Sequence, residues 1–280
     1  MIAITPAIEM IRVRGTPIQL MRGGVGPPLL YLHSAMSEVV WLPFHDLLAR
    51  QFEVYAPAHP GFGVSEGLDR IQDMEDLVFH YLDFFDHWGW ERVSLVGLSL
   101  GGWLAAELAT RNPDRIDRLV LVDAAGLHLP GTPMVEIFVD NTVWPDARER
   151  LRRVCFYDPD SPIARAFIPD GEVSSDRLLL MFKAREAAAR VGWDPYFYNP
   201  RLRERLHRVK APTLILWGDS DRLIPLTHAE AYRAGIVGSQ LQVFERCGHM
   251  LPLEQPEAFA TAATDFLRDP EPPNSRVRPL

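Results

Sequence analysis

Ser99 lies at the centre of the sequence Gly97-Leu98-Ser99-Leu100-Gly101, in surroundings that suit nucleophilic catalysis. The preceding run, Arg92–Val96, has the β-branched and apolar content of a buried strand. The following segment, Gly102–Thr110, has the Ala and Leu content of a helix. A Gly-x-Ser-x-Gly sequence between a strand and a helix is typical of a nucleophile elbow, whose tight turn requires glycines and holds the serine above the sheet. We therefore predict that Ser99 is a nucleophile.

A serine hydroxyl needs a base to take its proton and an acid to orient that base. His249 follows a predicted late strand in a glycine-containing loop, which makes it the candidate base. The loop after the preceding strand carries two carboxylates, Asp219 and Asp221. We choose Asp221 as the acid, because Asp219 is better placed to form the turn itself. Asp123, at the end of its own predicted strand, is a third candidate for the acid.

The tetrahedral intermediate formed by an attacking serine carries an oxyanion, which two N–H donors must stabilise. The backbone N–H of Leu100, directly after the nucleophile, is the first candidate donor. The loop that follows the predicted strand Leu29–Leu32 supplies the second donor, for which the N–H of Ala35 is best placed.

The candidate residues follow short apolar segments that alternate with amphipathic ones. This alternation is typical of βαβ units and predicts an α/β fold with a mostly parallel sheet. An opening hairpin, Ile8–Arg14 and Pro17–Arg22, precedes the parallel part. The predicted strands of the parallel part are Leu29–Leu32, Phe52–Ala56, Arg92–Val96, Arg118–Val122, Thr213–Trp217 and Leu241–Glu245. The predicted helices are Glu38–Arg50, Ile71–Trp88, Gly102–Thr110, Asp176–Val191, Thr227–Ala234 and Pro256–Leu267.

No convincing strand occurs between about Leu129 and Lys210, where the alternation is interrupted. A strand-free stretch of this length inside an α/β chain predicts a helical cap over residues 129–210, inserted into a core of residues 1–128 and 211–268. The proline-rich residues 269–280 are predicted to be a disordered tail. Aromatic residues of the cap suit the wall of an apolar pocket and equally suit packing of the cap on the sheet. They are Trp144, Phe156, Tyr157, Phe167, Trp193, Tyr196, Phe197 and Tyr198.

The composition excludes several classes of protein. A net charge of −8 at pH 7 argues against a nucleic-acid-binding or anionic-membrane-binding surface. The two cysteines, Cys155 and Cys247, form no disulfide framework and fit no metal-binding pattern. We see neither a signal peptide nor an apolar stretch of membrane-spanning length. We therefore expect a cytoplasmic protein that uses no metal or other cofactor and acts on a small molecule, and the oligomeric state stays open.

Four motifs, G-L-S-L-G-G, P-G-F-G-V-S, L-I-L-W-G-D-S-D-R-L-I-P and C-G-H-M, stand in the order seen in the α/β-hydrolase superfamily. The chain resembles the cap-bearing members of this superfamily from about Leu29 to Leu267, which implies an eight-stranded, mostly parallel sheet with helices on both faces. In relatives with the pattern W-G-x-x-D-x-x-x-P the second Asp is the triad acid, which supports Asp221. Relatives commonly have His-Gly where this chain has His33-Ser34, so we add Ser34 as a candidate substrate-binding residue. Met250, directly after His249, is a second candidate.

The resemblance also limits the reaction. Relatives that act on haloalkanes or epoxides use Asp at the position of Ser99, whereas a serine implies an acyl-enzyme. We expect hydrolysis of carboxylic esters with small to medium, largely apolar acyl groups. Hydrolysis of a C–C bond, of the meta-cleavage type, is the alternative, although such enzymes usually have Asn and Trp where this chain has Leu98 and Met250. A non-catalytic ligand receptor on the hydrolase fold is the third hypothesis.

Overall fold

The computed structural model describes residues 6–137 and 146–270, and these form one eight-stranded sheet with helices on both sides. Trp144 of the predicted cap and the last ten residues of the predicted tail lie outside the described residues. The strands are β1 Ala7–Val13, β2 Thr16–Gly23, β3 Pro28–Leu32, β4 Glu53–Pro57, β5 Val93–Leu98, β6 Ile116–Val122, β7 Thr213–Gly218 and β8 Gln240–Phe244.

The strands lie in the order β1-β2-β4-β3-β5-β6-β7-β8. β2 pairs antiparallel with both β1 and β4, and every later pairing in that order is parallel. The α/β-hydrolase architecture expected from the resemblance is confirmed. Because β3, β5, β6, β7 and β8 are parallel, their carboxyl ends meet at one edge of the sheet, and the loops that carry the candidate residues leave from that edge.

Burial explains why the central strands read as continuous apolar runs. All six residues of β7 are buried, as are five of the six residues of β5. Parallel strands covered by helices on both faces have no solvent-facing side, so the apolar and polar alternation of a surface strand is lost. β8 at the edge of the sheet is largely exposed, with only Phe244 fully buried.

The helices of the described residues are α1 Pro43–Leu48, α2 Met74–His87, α3 Leu100–Arg111, α4 Ala147–Cys155, α5 Pro162–Phe167, α6 Ser175–Gly192, α7 Leu202–Arg205, α8 Thr227–Gly235, α9 Leu251–Glu254 and α10 Pro256–Arg268. Short 3₁₀ turns occur at Leu68–Arg70, Pro113–Arg115 and Leu206–Arg208. α2 begins after Asp73, whose carboxylate accepts hydrogen bonds from the N–H groups of Glu75 and Asp76. None of these helices is both long and apolar enough to cross a membrane.

The predicted helix over residues 38–50 is wrong in its first part, because α1 begins only at Pro43. Ser37 has a φ of 68°, in the left-handed region that a helix interior does not tolerate. Glu38 is 1% exposed and accepts a hydrogen bond from the N–H of Ser34, so residues 34–38 form a turn closed by a side chain. Pro43 then occupies the first turn of α1, where its missing N–H costs no intrahelical hydrogen bond.

Between β6 and β7 the chain makes a long insertion, residues 123–212, which contains α4 to α7. Its described residues form helices and no strand, apart from a single bridge between Gly126 and Tyr198. The N–H of Gly126 donates to the carbonyl of Phe197 over 2.9 Å, and the N–H of Asn199 donates to the carbonyl of Gly126 over 3.0 Å. These hydrogen bonds join the two ends of the insertion. The boundaries of a cap at 129 and 210 stay a prediction.

Candidate active site

The backbone at Ser99 has the strained geometry of a nucleophile elbow, with a φ of 54° and a ψ of −113°. The glycines on either side are required by close contacts. A Cβ on Gly97 would lie 2.3 Å from the carbonyl oxygen of Gly101, and a Cβ on Gly101 would lie 2.0 Å from that of Leu32. Ser99 is also the residue immediately before α3, so the N-terminal end of that helix lies next to its hydroxyl.

Backbone hydrogen bonds connect the loops that follow β5, β6, β7 and β8. The N–H of Ser99 donates to the carbonyl of Val122 over 2.9 Å, and the N–H of Asp123 donates to the carbonyl of Leu216 over 3.0 Å. The N–H of Ser220 donates to the carbonyl of Cys247 over 2.9 Å. The three loops that carry Ser99, Asp221 and His249 are therefore held at the same edge of the sheet.

Asp221 and His249 are in direct contact, with His249 Nδ1 2.8 Å from Asp221 Oδ2. The other carboxylate oxygen accepts hydrogen bonds of 2.8 Å from the N–H groups of Leu223 and Ile224, which fixes the carboxylate. Because an ionised carboxylate only accepts, Nδ1 carries the proton and Nε2 presents a lone pair. Nε2 is buried and has no hydrogen-bond partner within the described residues. The imidazole is thus oriented as a general base requires.

The two other candidate acids are not bound to His249. Asp219 is exposed, and its carboxylate accepts hydrogen bonds from the hydroxyl of Ser220 and, at 3.4 Å, from the N–H of Cys247. Asp123 is fully buried, with Oδ1 accepting from the N–H of Gly218 over 2.9 Å. Burial raises the pKa of Asp123 well above its ordinary value, and the neighbouring carboxylate of Asp221 raises it further. Of the three carboxylates, Asp221 is the one that the structure joins to the imidazole.

The loop of His249 is held on its other side by the insertion. The carbonyl of Cys155, at the end of α4, accepts hydrogen bonds from the N–H groups of His249 and Met250 at 2.8 and 3.2 Å. Glu254, at the end of α9, accepts from the N–H of Gly248 with one oxygen and from the N–H of Tyr157 with the other, both at 2.8 Å. The sequence analysis missed Glu254, because a glutamate near a helix end reads as an ordinary surface residue. Its contacts link the base loop to α4.

The backbone around Ala35 is oriented by a chain of histidines. His33 Nε2 accepts from the N–H of His59 over 3.0 Å, so its proton lies on Nδ1, which donates to the carbonyl of Ser34 over 2.7 Å. In a trans peptide the carbonyl of Ser34 and the N–H of Ala35 point in opposite directions. The N–H of Ala35 therefore points away from His33, and no hydrogen bond within the described residues uses it. The N–H of Leu100, first in α3, has no intrahelical partner either.

Ser34 is fully buried, and its hydroxyl is engaged within the loop. Its Oγ lies 2.5 Å from Glu38 Oε1 and accepts from the N–H of Met36 over 2.9 Å. Its N–H donates to Glu38 Oε2 over 2.9 Å. Met250 is fully buried next to His249. The assignment of Ser34 and Met250 to substrate contact stays a prediction, and the structure adds Glu38, which the sequence analysis had placed in a helix.

A cavity of about 390 Å³ lies between the first residues of the insertion, residues 193–198 of its later part, and α8. Four of the predicted cap aromatics line it, and neither Ser99 nor His249 does. Ile224, three residues after Asp221, connects its wall to the acid loop. The four aromatics are Trp193, Tyr196, Phe197 and Tyr198. Phe156 instead packs inside the insertion, with its ring centre 6.1 Å from that of Phe167.

A family model described as the alpha/beta hydrolase family matches residues 29–263. The chain belongs to the alpha/beta hydrolase family. It is 31% identical over 282 residues to a 2-hydroxy-6-oxo-2,4-heptadienoate hydrolase of Pseudomonas putida, covering 92% of this chain and 95% of that protein. It is 30% identical over 277 residues to a 2-hydroxymuconate semialdehyde hydrolase of a Pseudomonas species, covering 91% and 92% of the two chains.

Solved structures of related hydrolases have the same fold. The crystal structure of a membrane phospholipase A, described as a bacterial virulence factor, is 27% identical, with a TM-score of 0.76 over 94% of this chain and 86% of that one. The 2-hydroxy-6-oxo-6-phenylhexa-2,4-dienoate hydrolase of a Rhodococcus species has a TM-score of 0.77 over 95% and 99% of the two chains. At 21% identity, the second likeness concerns the fold alone.

Proposed function

We propose that this protein is a serine hydrolase that cleaves a C–C bond next to a ketone, in substrates of the 2-hydroxy-6-oxo-dienoate class. The observation that carries the proposal is the relative at 31% identity over about nine-tenths of the chain, a 2-hydroxy-6-oxo-2,4-heptadienoate hydrolase by name. The relative at 30% identity is named as a hydrolase of 2-hydroxymuconate semialdehyde. Ester hydrolysis, which the sequence analysis placed first, becomes the second candidate.

In this proposal Ser99 attacks the ketone carbon while His249 Nε2 takes the hydroxyl proton and Asp221 orients the imidazole. The oxyanion accepts hydrogen bonds from the N–H groups of Leu100 and Ala35. The C–C bond breaks in the 2-keto tautomer of the substrate, in which the proton of the 2-hydroxyl has moved to the carbon next to the 6-ketone. The electron pair of the broken bond then leaves as a conjugated dienolate, which takes the proton back from His249. Water hydrolyses the acyl-enzyme, with His249 again as the base. The reaction needs a nucleophile, a base and an oxyanion hole, and the site has a candidate for each.

A dienoate substrate also carries a carboxylate, for which Arg185 of α6 is a candidate partner. Arg185 is partly buried, and burial lowers the pKa of its guanidinium. Within the described residues it makes no hydrogen bond or ion pair. Arg190 on the same helix instead pairs with Glu186 at 3.0 Å. A partly desolvated guanidinium without a counterion gains more from an anionic ligand than a paired one does.

Ester hydrolysis remains the second candidate because of two apolar neighbours of the site. Leu98 and Met250, next to Ser99 and His249, are both fully buried and offer no polar group to a substrate. The 27% identical structure is that of a phospholipase A, an ester hydrolase by name. An acyl-enzyme forms equally from an ester, with an alcohol in place of the dienolate as the leaving group.

The deciding experiment compares both substrate classes on one preparation. Turnover of a chromogenic 2-hydroxy-6-oxo-dienoate and of p-nitrophenyl esters is measured for the wild type, for Ser99→Ala and for Ser94→Ala, a control on the same strand. Faster turnover of the dienoate, with kcat/KM at least about 10³-fold lower in Ser99→Ala alone, supports the proposal. Turnover of esters only supports the second candidate. Ligand-induced stabilisation without turnover of either class would support the receptor hypothesis.

A further inference from the structure

Glu38 is a buried carboxylate in the loop that carries the candidate oxyanion donor. It is 1% exposed and lies three residues after Ala35, in a turn where Ser37 has a φ of 68°. Burying a carboxylate is unfavourable unless hydrogen bonds or an opposite charge offset the loss of hydration. The contacts of Glu38 must therefore offset the cost of its burial.

Glu38 fixes Ser34 with both carboxylate oxygens. Oε1 contacts the Ser34 hydroxyl at 2.5 Å and Oε2 accepts from the Ser34 N–H over 2.9 Å. The next peptide unit, which joins Ser34 to Ala35, carries the N–H of Ala35. His33 Nδ1 holds the carbonyl of that unit at 2.7 Å. Glu38 and His33 thus hold the two sides of Ser34, and together they set the direction of the Ala35 N–H.

Glu38 and His249 also interact through their charges. Burial raises the pKa of Glu38, while hydrogen bonds from Ser34 and the neighbouring His249 lower it. Tyr31 and Cys155 also interact with Glu38, and burial raises the pKa of each well above its ordinary value, so both are neutral at pH 7. The group near Glu38 that gains a positive charge during the proposed reaction is therefore His249.

We propose that Glu38 is a positioning residue of this site, which aims the N–H of Ala35 at the oxyanion and whose charge stabilises the imidazolium form of His249. The proposal rests on the serine mechanism above and on neither of its two substrate classes. It separates into a geometric part, carried by the hydrogen bonds to Ser34, and an electrostatic part, carried by the charge.

Three substitutions separate the two parts. Glu38→Gln keeps an acceptor for the Ser34 N–H but removes the charge. Ser34→Ala keeps the charge but removes one of the two contacts. Glu38→Ala removes the charge and both contacts with Ser34. Glu107→Gln, at a fully buried glutamate of α3 that binds Trp103 and Arg111, is the matched control.

The readout is the rate at which a fluorophosphonate labels Ser99 between pH 5 and 9, because this reaction needs the nucleophile and the oxyanion hole but no natural substrate. In Glu38→Gln the acid limb of the profile moves to lower pH by about 0.5 to 1 pH unit, since His249 loses a stabilising negative charge. In Glu38→Ala the plateau rate also falls by about 10- to 10²-fold, and Ser34→Ala shows a smaller fall without the shift. Glu107→Gln shows neither change.

A second measurement distinguishes failure of this proposal from failure of the proposed function. NMR titration of the His249 ring carbons follows its protonation without any turnover, in the wild type and in Glu38→Gln. Labelling of the wild type without turnover of dienoates or esters would reject the substrate proposal and leave this one intact. Unchanged His249 titration together with wild-type labelling rates in Glu38→Gln and Ser34→Ala would overturn it, even if Glu38→Ala fails to fold.

Discussion

Asp221 differs from the other carboxylates of this edge in the atom that it contacts. Its Oδ2 lies 2.8 Å from His249 Nδ1, whereas Asp219 closes its own turn and Asp123 binds the N–H of Gly218. Of these three carboxylates, Asp221 is therefore the one that can orient the imidazole and contact its charged form. The two roles make a prediction about amide substitutions.

We predict that Asp221→Asn lowers kcat by about 10²- to 10⁴-fold, because an amide at this position favours the wrong tautomer of His249. The measurement is kcat on whichever substrate class the protein turns over. Asp219→Asn serves as the control and should stay within about threefold of the wild type, because its carboxylate does not contact His249. Comparable losses in the two variants would contradict the assignment of the acid.

The second prediction at this scale concerns Arg185. If its guanidinium binds the substrate carboxylate, Arg185→Gln should raise KM for a dienoate by about 10-fold or more, and leave KM for a neutral p-nitrophenyl ester unchanged. Arg190→Gln is the control, because Arg190 already pairs with Glu186. An equal rise of KM for the charged and the neutral substrate would show that Arg185 supports the fold of α6 and does not bind the carboxylate.

At the scale of elements, the elbow between β5 and α3 depends on the absence of side chains. Gly101→Ala would place a Cβ 2.0 Å from the carbonyl oxygen of Leu32, a contact with backbone that no rotamer relieves. We predict a loss of unfolding free energy of about 3 kcal/mol or more, measured by urea denaturation, despite the better helix propensity of Ala. Gly171→Ala, where no atom lies within 4 Å of the added Cβ, should change stability by about 1 kcal/mol or less. Similar midpoints for the two variants would contradict this account.

Some of these elements could be predicted from the sequence, and others could not. Apolar runs such as Thr213–Trp217 predicted buried strands because local composition follows burial, and β7 is indeed Thr213–Gly218. The start of α1 was predicted wrongly because the segment that begins at Glu38 has the composition of a helix. The carboxylate of Glu38 instead binds Ser34 in the preceding loop. Glu254 was missed for a similar reason, since it binds Tyr157, which lies 97 residues away in sequence. Contacts between distant segments leave no local pattern.

At the scale of the whole molecule, the fold and the candidate triad were accessible from the sequence, but the order of the two substrate classes was not. The motifs around Ser99, Asp221 and His249 indicate the nucleophile elbow and its base, and these features do not distinguish one serine hydrolase of the family from another. In the proposed function the substrate meets side chains of the insertion such as Arg185, and the packing of the helices that place them has no sequence signature. The relatives, and not the motifs, favoured C–C cleavage.

The whole molecule also contains several histidines that burial holds in the neutral form. Burial lowers the pKa of His33 to about 4 and that of His45 to about 3, and it lowers the pKa of His59 well below its ordinary value. In an unfolded chain these groups titrate near pH 6.5, so between pH 6.5 and 4 the unfolded state binds more protons than the folded state. Their contribution to the free energy of unfolding therefore falls as the pH is lowered through this range. Glu38 and Glu254 act in the opposite sense, because burial raises the pKa of each.

The contributions of these histidines and glutamates to the pH dependence of stability overlap. Substitution of a single histidine isolates the contribution of that residue. His45 is fully buried, and its Nδ1 accepts from the N–H of Leu42 over 3.0 Å. Its Nε2 has no hydrogen-bond partner in the part of the chain that the structure describes. Asn at this position keeps an acceptor near Nδ1 but does not titrate. We predict that the stability advantage of the wild type over His45→Asn shrinks by about 2 kcal/mol between pH 7.5 and pH 5, because only the wild type must keep this imidazole unprotonated. Urea midpoints at several pH values measure the difference, with the exposed His207→Asn as control, and equal narrowing in both variants would refute the assignment to burial.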